Sequence, residues 1–211
     1  PSLYVNAGDG TFVDQAASLG LAPTEATSAA AFGDIDGDGD LDAYVTTLGG
    51  MRHLLYLREG ARFVERGGER GASLASALPL LGTTPALGDI DGDGHLDLYV
   101  GEWRNRRQVH DGPSMARLLR NLGPAMPGFF ADVTEAAGVS MEDAFDGVAQ
   151  RGVYVYGVGF VDADGDGHLD LPVAGDFRTA RLFYGRGDGT FLDGTSAAMV
   201  GTESNAMGTT F

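Results

Sequence analysis

One twelve-residue pattern recurs three times and restricts the fold more than any other feature of this chain. It reads Ala31-Phe-Gly-Asp-Ile-Asp-Gly-Asp-Gly-Asp-Leu-Asp42, then Ala86-Leu-Gly-Asp-Ile-Asp-Gly-Asp-Gly-His-Leu-Asp97, then Gly159-Phe-Val-Asp-Ala-Asp-Gly-Asp-Gly-His-Leu-Asp170. The copies start their acidic runs at Asp34, Asp89 and Asp162, 55 and 73 residues apart. Between them alternates a second segment, an apolar run and a turn closed by Phe-x-Asp/Glu. It is anchored at Phe12, Phe63, Phe130 and Phe191, at steps of 51, 67 and 61 residues. A period this long excludes ankyrin and leucine-rich repeats and points to one supersecondary unit per repeat.

Each unit reads as four short strands separated by Gly/Asp turns. In the first full unit the strands are expected near Ala29–Gly33, Leu41–Thr47, His53–Leu57 and Ala61–Arg66. Leu41–Thr47 and Leu96–Gly101 are apolar and rich in Tyr, Val and Leu, as befits strands covered on both faces. Glycine at 34 of 211 positions leaves few windows long enough for a helix. Met115–Leu122 is the one helical alternative, and it aligns with the other third strands. Four-stranded units in radial repetition give an all-β fold, a β-propeller, which removes most exposed sheet edges; a β-sandwich is the alternative. The phasing predicts a partial blade over 1–28, blades near 29–84, 85–152 and 153–203, and a first strand of another over 204–211. With Pro1 in first place and Phe211 where Phe32 stands in its copy, the chain reads as a segment of a larger propeller with neighbouring blades outside it.

The spacing Asp-x-Asp-x-Asp-Gly suits a hard cation, which wants six to eight oxygens and a loop that wraps around it. Positions 1, 3, 5 and 9 supply carboxylates, position 6 a glycine for the sharp turn, and position 7 a backbone carbonyl. The expected ligands are Asp34, Asp36, Asp38, Asp40 (carbonyl) and Asp42; Asp89, Asp91, Asp93, His95 (carbonyl) and Asp97; and Asp162, Asp164, Asp166, His168 (carbonyl) and Asp170. No loop has the Glu at position 12 or the flanking helices of an EF-hand, so these read as rigid structural sites. Ca²⁺ is expected at all three, and Mg²⁺ is disfavoured because it keeps its waters in a tight octahedron.

Charge bears on the same point. Thirty Asp and Glu stand against 14 basic residues, all Arg, for a formal charge of −16. Such a surface repels phosphate backbones and anionic headgroups, so nucleic acid and membrane are poor partners. The absence of Cys excludes disulfides and thiolate metal sites. No apolar stretch approaches the length of a membrane span.

Other residues invite functional readings. His95 and His168 occupy position 7, where the carbonyl binds and the side chain is expected to point outward and be inert. His53 and His110 have no Ser or Cys partner at a recognisable spacing. Arg186-Gly187-Asp188 spells an integrin-read tripeptide, yet it occupies the tight turn that Ala7-Gly8-Asp9 fills in the first copy. The extra length of the second unit falls in Trp103–Pro113 and Met141–Tyr154. Trp103, Arg104, Arg106 and Arg107, in a basic-aromatic cluster expected on a loop, are the candidate contacts for a protein or glycan partner.

On Phe32-Gly-Asp-Ile-Asp-Gly-Asp-Gly-Asp-Leu-Asp42 and Gly8-Asp-Gly-Thr-Phe12, the sequence resembles the FG-GAP/VCBS repeat family, which includes integrin α-subunit propellers. Phe130-Ala-Asp-Val-Thr-Glu-Ala-Ala-Gly-Val139 is similar to the subset related to cartilage acidic protein and ASPIC/UnbV proteins. The resemblance implies a seven- or eight-bladed propeller with Ca²⁺ in its inter-strand loops, secreted or at the cell surface, serving adhesion or recognition. Leu87 in place of the motif Phe, and Gly159-Phe-Val161 shifted by one, depart in packing positions and leave the ligands intact. Because a fold does not name a function, two other readings stand beside it: a propeller of a polysaccharide-active enzyme, and a structural spacer. Beyond the metal ligands no convergent acid/base set is visible, so a non-enzymatic scaffold is expected.

Overall fold

The structure is a computed structural model that describes residues 2–105, 116–141 and 152–201. It is an all-β chain. A hairpin of β1 (Tyr4–Asn6) and β2 (Phe12–Asp14) comes first, followed by the short helix α1 (Ala16–Leu19). Three antiparallel four-stranded units follow. The first holds β3 (Thr27–Gly33), β4 (Asp42–Thr47), β5 (Leu54–Glu59) and β6 (Arg62–Glu65). The second holds β7 (Gly82–Gly88), β8 (Asp97–Asn105), β9 (Arg117–Asn121) and β10 (Phe130–Asp132). The third holds β11 (Gly152–Val158), β12 (Leu171–Gly175), β13 (Arg181–Gly185) and β14 (Phe191–Asp193). The innermost strands β3, β7 and β11 lie side by side. This is a partial β-propeller with three blades. Residues 117–121 of the ambiguous 115–122 stretch form a strand, as alignment with the other third strands required.

The apolar core lies between blades rather than within any one of them. One cluster, with Leu54, Tyr56 and Phe63, packs the first blade on Ala16 and Leu21. A second joins Ile35, Tyr44, Leu55 and Leu57 of the first blade to Leu98, Val100, Leu119 and Phe130 of the second. A third joins Ile90, Tyr99 and Leu118 to Val155, Val173, Phe183 and Phe191. Strand β4 is covered on both faces, which explains its apolar run. Tyr44 and Tyr99, two residues after the last Asp of their loops, are fully buried. Their hydroxyls donate to the Ala72 carbonyl and to Met141 Sδ.

Polar groups finish the seams. Ser28 Oγ donates to the Gly82 carbonyl at 2.6 Å, and Thr84 Oγ1 donates to that of Tyr156, each crossing to the next inner strand. The first seam also buries a hydrogen-bonded pair that the sequence does not advertise. His53 Nδ1 accepts the Thr47 N–H, so Nε2 carries the proton toward Glu102 Oε1 at 2.9 Å, with both side chains fully enclosed. The second seam differs in kind. Strand β8 runs nine residues, and its far end pairs with β11 through Gly152↔Asn105, Val153↔Arg104 and Tyr154↔Trp103. Blades two and three therefore share a continuous sheet, in place of the separate units the repeat implied.

A left-handed glycine after each fourth strand sets the spacing between blades. Gly71 has φ +73°, and a Cβ there would stand 2.6 Å from the Phe130 carbonyl oxygen of the next blade. Gly20 meets Phe63 in the same way. Substituting Gly71→Ala combines the left-handed penalty with a backbone clash and is expected to lower stability by about 2–4 kcal/mol. Chemical denaturation of the variant measures this directly. A loss under about 0.5 kcal/mol, the size of an ordinary surface change, would contradict the packing described.

Candidate metal centres

Each metal-type loop links the first and second strands of its blade, and glycines with positive φ make its turns. Gly37, Gly39, Gly92, Gly94, Gly165 and Gly167 all lie between φ +72° and +92°, a region closed to most side chains. The first carboxylate then ties the loop to itself. Asp34 Oδ2 accepts from Gly39 N–H at 3.0 Å, Asp89 Oδ2 from Gly94 at 2.9 Å, and Asp162 Oδ2 from Gly167 at 3.0 Å. The position-5 carboxylates Asp38, Asp93 and Asp166 accept the N–H of position 7, which is Asp40, His95 and His168 respectively.

Carboxylate oxygens converge in all three loops, in two different combinations. Asp34, Asp36 and Asp42 bring one oxygen each within 4.8 Å of one another, as do Asp89, Asp91 and Asp97. In the third loop the converging set is Asp162, Asp164 and Asp166, all exposed. Thus Asp38 and Asp93 stand outside their groups, and Asp170 stands outside the third. The first two groups fit a divalent cation on one observation above all. Asp34 Oδ1, Asp36 Oδ1 and Asp91 Oδ1 are buried with no hydrogen-bond partner, a state that costs free energy unless a ligand satisfies it.

The ninth residue of each loop does something that ligand spacing alone does not reveal. Asp42, Asp97 and Asp170 are fully buried, at 0%, 1% and 0% exposure. Asp42 Oδ2 accepts from Ile35 N–H at 2.8 Å, and its Oδ1 from Arg58 N–H at 2.7 Å. Asp97 does the same with Ile90 and Asn121 at 3.0 and 2.8 Å. Asp170 does so with Ala163 and Gly185, both at 2.8 Å. Each carboxylate staples the head of its loop to the third strand of its blade. Burial pushes Asp97 up to about 7 against these hydrogen bonds, with the nearby Asp91 and Asp93 adding to it, and burial likewise raises Asp42.

The surroundings of the loops correct two expectations. His95 does not simply face solvent, since its ring lies against Gly37 of the preceding loop and near Gly123. His168, by contrast, is exposed, with its ring beside Gly187. The other expectation concerns Trp103 and Arg104, which belong to β8 and not to a loop. Trp103 stacks edge-on to Tyr154 at 5.2 Å and near Tyr156 at 6.3 Å, while its Nε1 approaches Asp176 Oδ2 at 3.5 Å. Phe177 packs on the other side of Tyr154 at 4.8 Å. Arg106, Arg107, His110 and the strand expected over 204–211 lie outside the described residues.

The Arg186-Gly187-Asp188 turn repeats the first hairpin in detail. Arg186 N–H donates to the Thr190 carbonyl, and Asp188 Oδ1 accepts both N–H and Oγ1 of Thr190. Ala7, Asp9 and Thr11 make the same three bonds. Gly189 of this turn rests on Asp91 of the second loop, where a Cβ would stand 3.6 Å from Asp91 Cβ. Gly128, in the corresponding turn of the second blade, rests on Asp36. Hairpin geometry and seating on the preceding metal loop therefore account for this Gly-Asp-Gly pattern.

Two outcomes test the staple. Asp97→Ala leaves two buried N–H groups unpaired and is expected to lower stability by about 2–5 kcal/mol even in chelator; Asp38→Ala is expected to cost under about 1 kcal/mol there. The raised carboxyls also set a pH dependence for the metal-free protein. A carboxyl whose folded value exceeds its unfolded value contributes fully below the unfolded value, near pH 4, and loses that contribution as pH rises through about 7. Melting temperature in chelator should accordingly fall from pH 5 to pH 8, and a rise over that interval would contradict the burial of Asp97.

Comparison with known proteins gives matches to two segments of the chain. The FG-GAP-like repeat family matches residues 1–45, and the FG-GAP repeat family matches 81–102. No curated protein matches the chain. Among solved structures, one from work on recognition of non-reducing terminal N-acetylglucosamine by an Agrocybe aegerita lectin aligns at 20% identity with a TM-score of 0.48. It covers 90% of this chain, which in turn spans 44% of that one. Each of the two matched segments runs through a metal-type loop and into the second strand of its blade, and over these segments the chain is similar to FG-GAP repeats.

Proposed function

We propose that the chain is a calcium-stiffened recognition scaffold, secreted or displayed at the cell surface, in which metal holds the blades rigid for a protein or glycan partner. The observation that carries this reading is the set of buried carboxylate oxygens without partners at Asp34, Asp36 and Asp91. Clusters of this kind repel one another strongly in a partly buried loop, and a hard dication reverses the sign. The protein ligands would be Asp34, Asp36 and Asp42, then Asp89, Asp91 and Asp97, then Asp162, Asp164 and Asp166. Asp38, Asp93 and Asp170 stand close enough in sequence to join, and the carbonyls of Asp40, His95 and His168 complete the oxygen count. Three ions would bring the formal charge from −16 to −10. FG-GAP repeats point to recognition rather than catalysis, and the repeat phasing divides the chain near residues 29, 85 and 153.

The partner surface we favour is the one around Trp103. Tyr156 lies beside Trp103, and Tyr154 links Trp103 to the exposed Phe177, with Asp176 next to the Trp103 indole. Phe177 and Arg178 are consecutive non-glycine residues with φ of +53° and +65°, and strain of this kind concentrates at functional loops. Large aromatic side chains at a rigid seam have the chemistry of binding hot spots.

Calorimetry is expected to count three Ca²⁺ per chain. Excess chelator is expected to lower the melting temperature, and millimolar Ca²⁺, but not equal Mg²⁺, to restore it. A melting curve indifferent to chelator would remove the structural role of calcium. For the partner surface, Trp103→Ala is expected to weaken attachment to cells or to arrayed glycans while Asp188→Glu does not. The reverse ranking would move recognition to the 186–188 turn.

A further inference from the structure

We infer that Arg120 is a built-in competitor for the cation of the second loop, which makes that site the weakest of the three; this rests on the calcium reading of the loops. Asp91, at position 3, has a side chain only 7% exposed, and neither of its oxygens makes a hydrogen bond. Its Oδ2 is paired with a terminal nitrogen of Arg120. A guanidinium therefore neutralises a carboxylate that the cation needs.

Strand register explains why this happens in one loop. Arg120 immediately precedes Asn121, whose N–H is held by the stapling carboxylate of Asp97. The equivalent residue of the first blade is Leu57, before Arg58, which Asp42 holds. In the third blade it is Tyr184, before Gly185, which Asp170 holds. Leu57 is buried in the seam and Tyr184 carries no charge, so neither can offer a counter-ion at this register. The position-3 residue of the first loop, Asp36, does have an arginine nearby, Arg70. That guanidinium acts on Asp36 through its charge without pairing with it, while it donates to the Pro127 carbonyl at 2.9 Å and covers the Phe129 ring at 4.2 Å.

The arginine is also free to leave. Its side chain is 46% exposed, whereas Asp91 is enclosed beneath Gly189 of the next blade. An entering cation must displace the guanidinium into solvent, where it is well hydrated. The apparent affinity of the second loop is reduced by the strength of that pair, and the first and third loops carry no such reduction from this register. Filling would thus be ordered, with the seam between blades two and three the last to be closed by metal.

Calcium titration of the whole chain by calorimetry, beside terbium luminescence, tests this with Arg120→Gln and Arg120→Met. Arg117→Gln serves as a control, because Arg117 pairs with Asp132 away from the loop. Both Arg120 variants are expected to tighten one of three sites by about three- to tenfold, the range of a half-exposed ion pair, with stoichiometry and the other two affinities unchanged. Asp91→Asn combined with Arg120→Gln should abolish the gain. Three ions bound with affinities unchanged or weakened in both Arg120 variants would overturn the competitor role alone. No calcium uptake by the unaltered chain would overturn it together with the calcium reading.

Discussion

A buried carboxylate that accepts one backbone N–H bond from its own loop and one from the third strand is the interaction on which each blade depends. Asp42, Asp97 and Asp170 each hold the second residue of the loop with one oxygen and the third strand with the other. Burying an ionisable group this way is costly, and burial raises Asp97 to about 7. The cost is offset by what the carboxylate organises. With the loop pinned at its head and its ninth residue, the first and third side chains are brought together, joined by the ninth in the first two loops and by the fifth in the third. The glycines supply the left-handed turns, and the staple supplies the register.

The loops also govern how blades meet. The hairpin turn of one blade rests a glycine on the metal loop of the blade before, Gly128 on Asp36 and Gly189 on Asp91. The seams directly beneath these contacts hold the apolar core, so order in an acidic surface loop is transmitted to the packing of Tyr44, Leu98, Tyr99 and Phe183. A cation that removes the mutual repulsion of the carboxylates therefore stabilises the interface between blades. This is the physical sense in which a recognition surface at a seam, such as that around Trp103 and Phe177, would depend on metal bound on the loops.

Much of this architecture is legible in the sequence because its determinants are local. Asp-x-Asp-Gly-Asp-Gly encodes its own turn, and the alternation with Phe-x-Asp/Glu marks hairpins whose registers follow from their turns. What was not legible depends on contacts between distant segments. The extension of β8 beyond its blade and its pairing with β11 follow from no pattern in residues 97–105, and they place Trp103 in a strand where loop length suggested otherwise. The enclosed His53–Glu102 pair joins residues 49 positions apart, and neither letter signals the other. The ninth-position aspartates were readable as ligands but not as staples, since the same side chain suits both and only the third strand's amides decide. Likewise Gly-Asp-Gly-Thr announced a turn without announcing that the turn sits on a neighbour's metal loop.

The central claim is that these buried carboxylates lock loop to strand, and residue-resolved amide hydrogen exchange examines it most directly. The amides of Ile35, Ile90 and Ala163, and those of Arg58, Asn121 and Gly185, are each bound to one of the three carboxylates. The account predicts slow exchange at all six, with Ile90 and Asn121 losing protection together in Asp97→Ala while the first blade keeps its own. Rapid exchange at the loop amides of the unaltered chain, or protection that survives loss of the carboxylate, would contradict it.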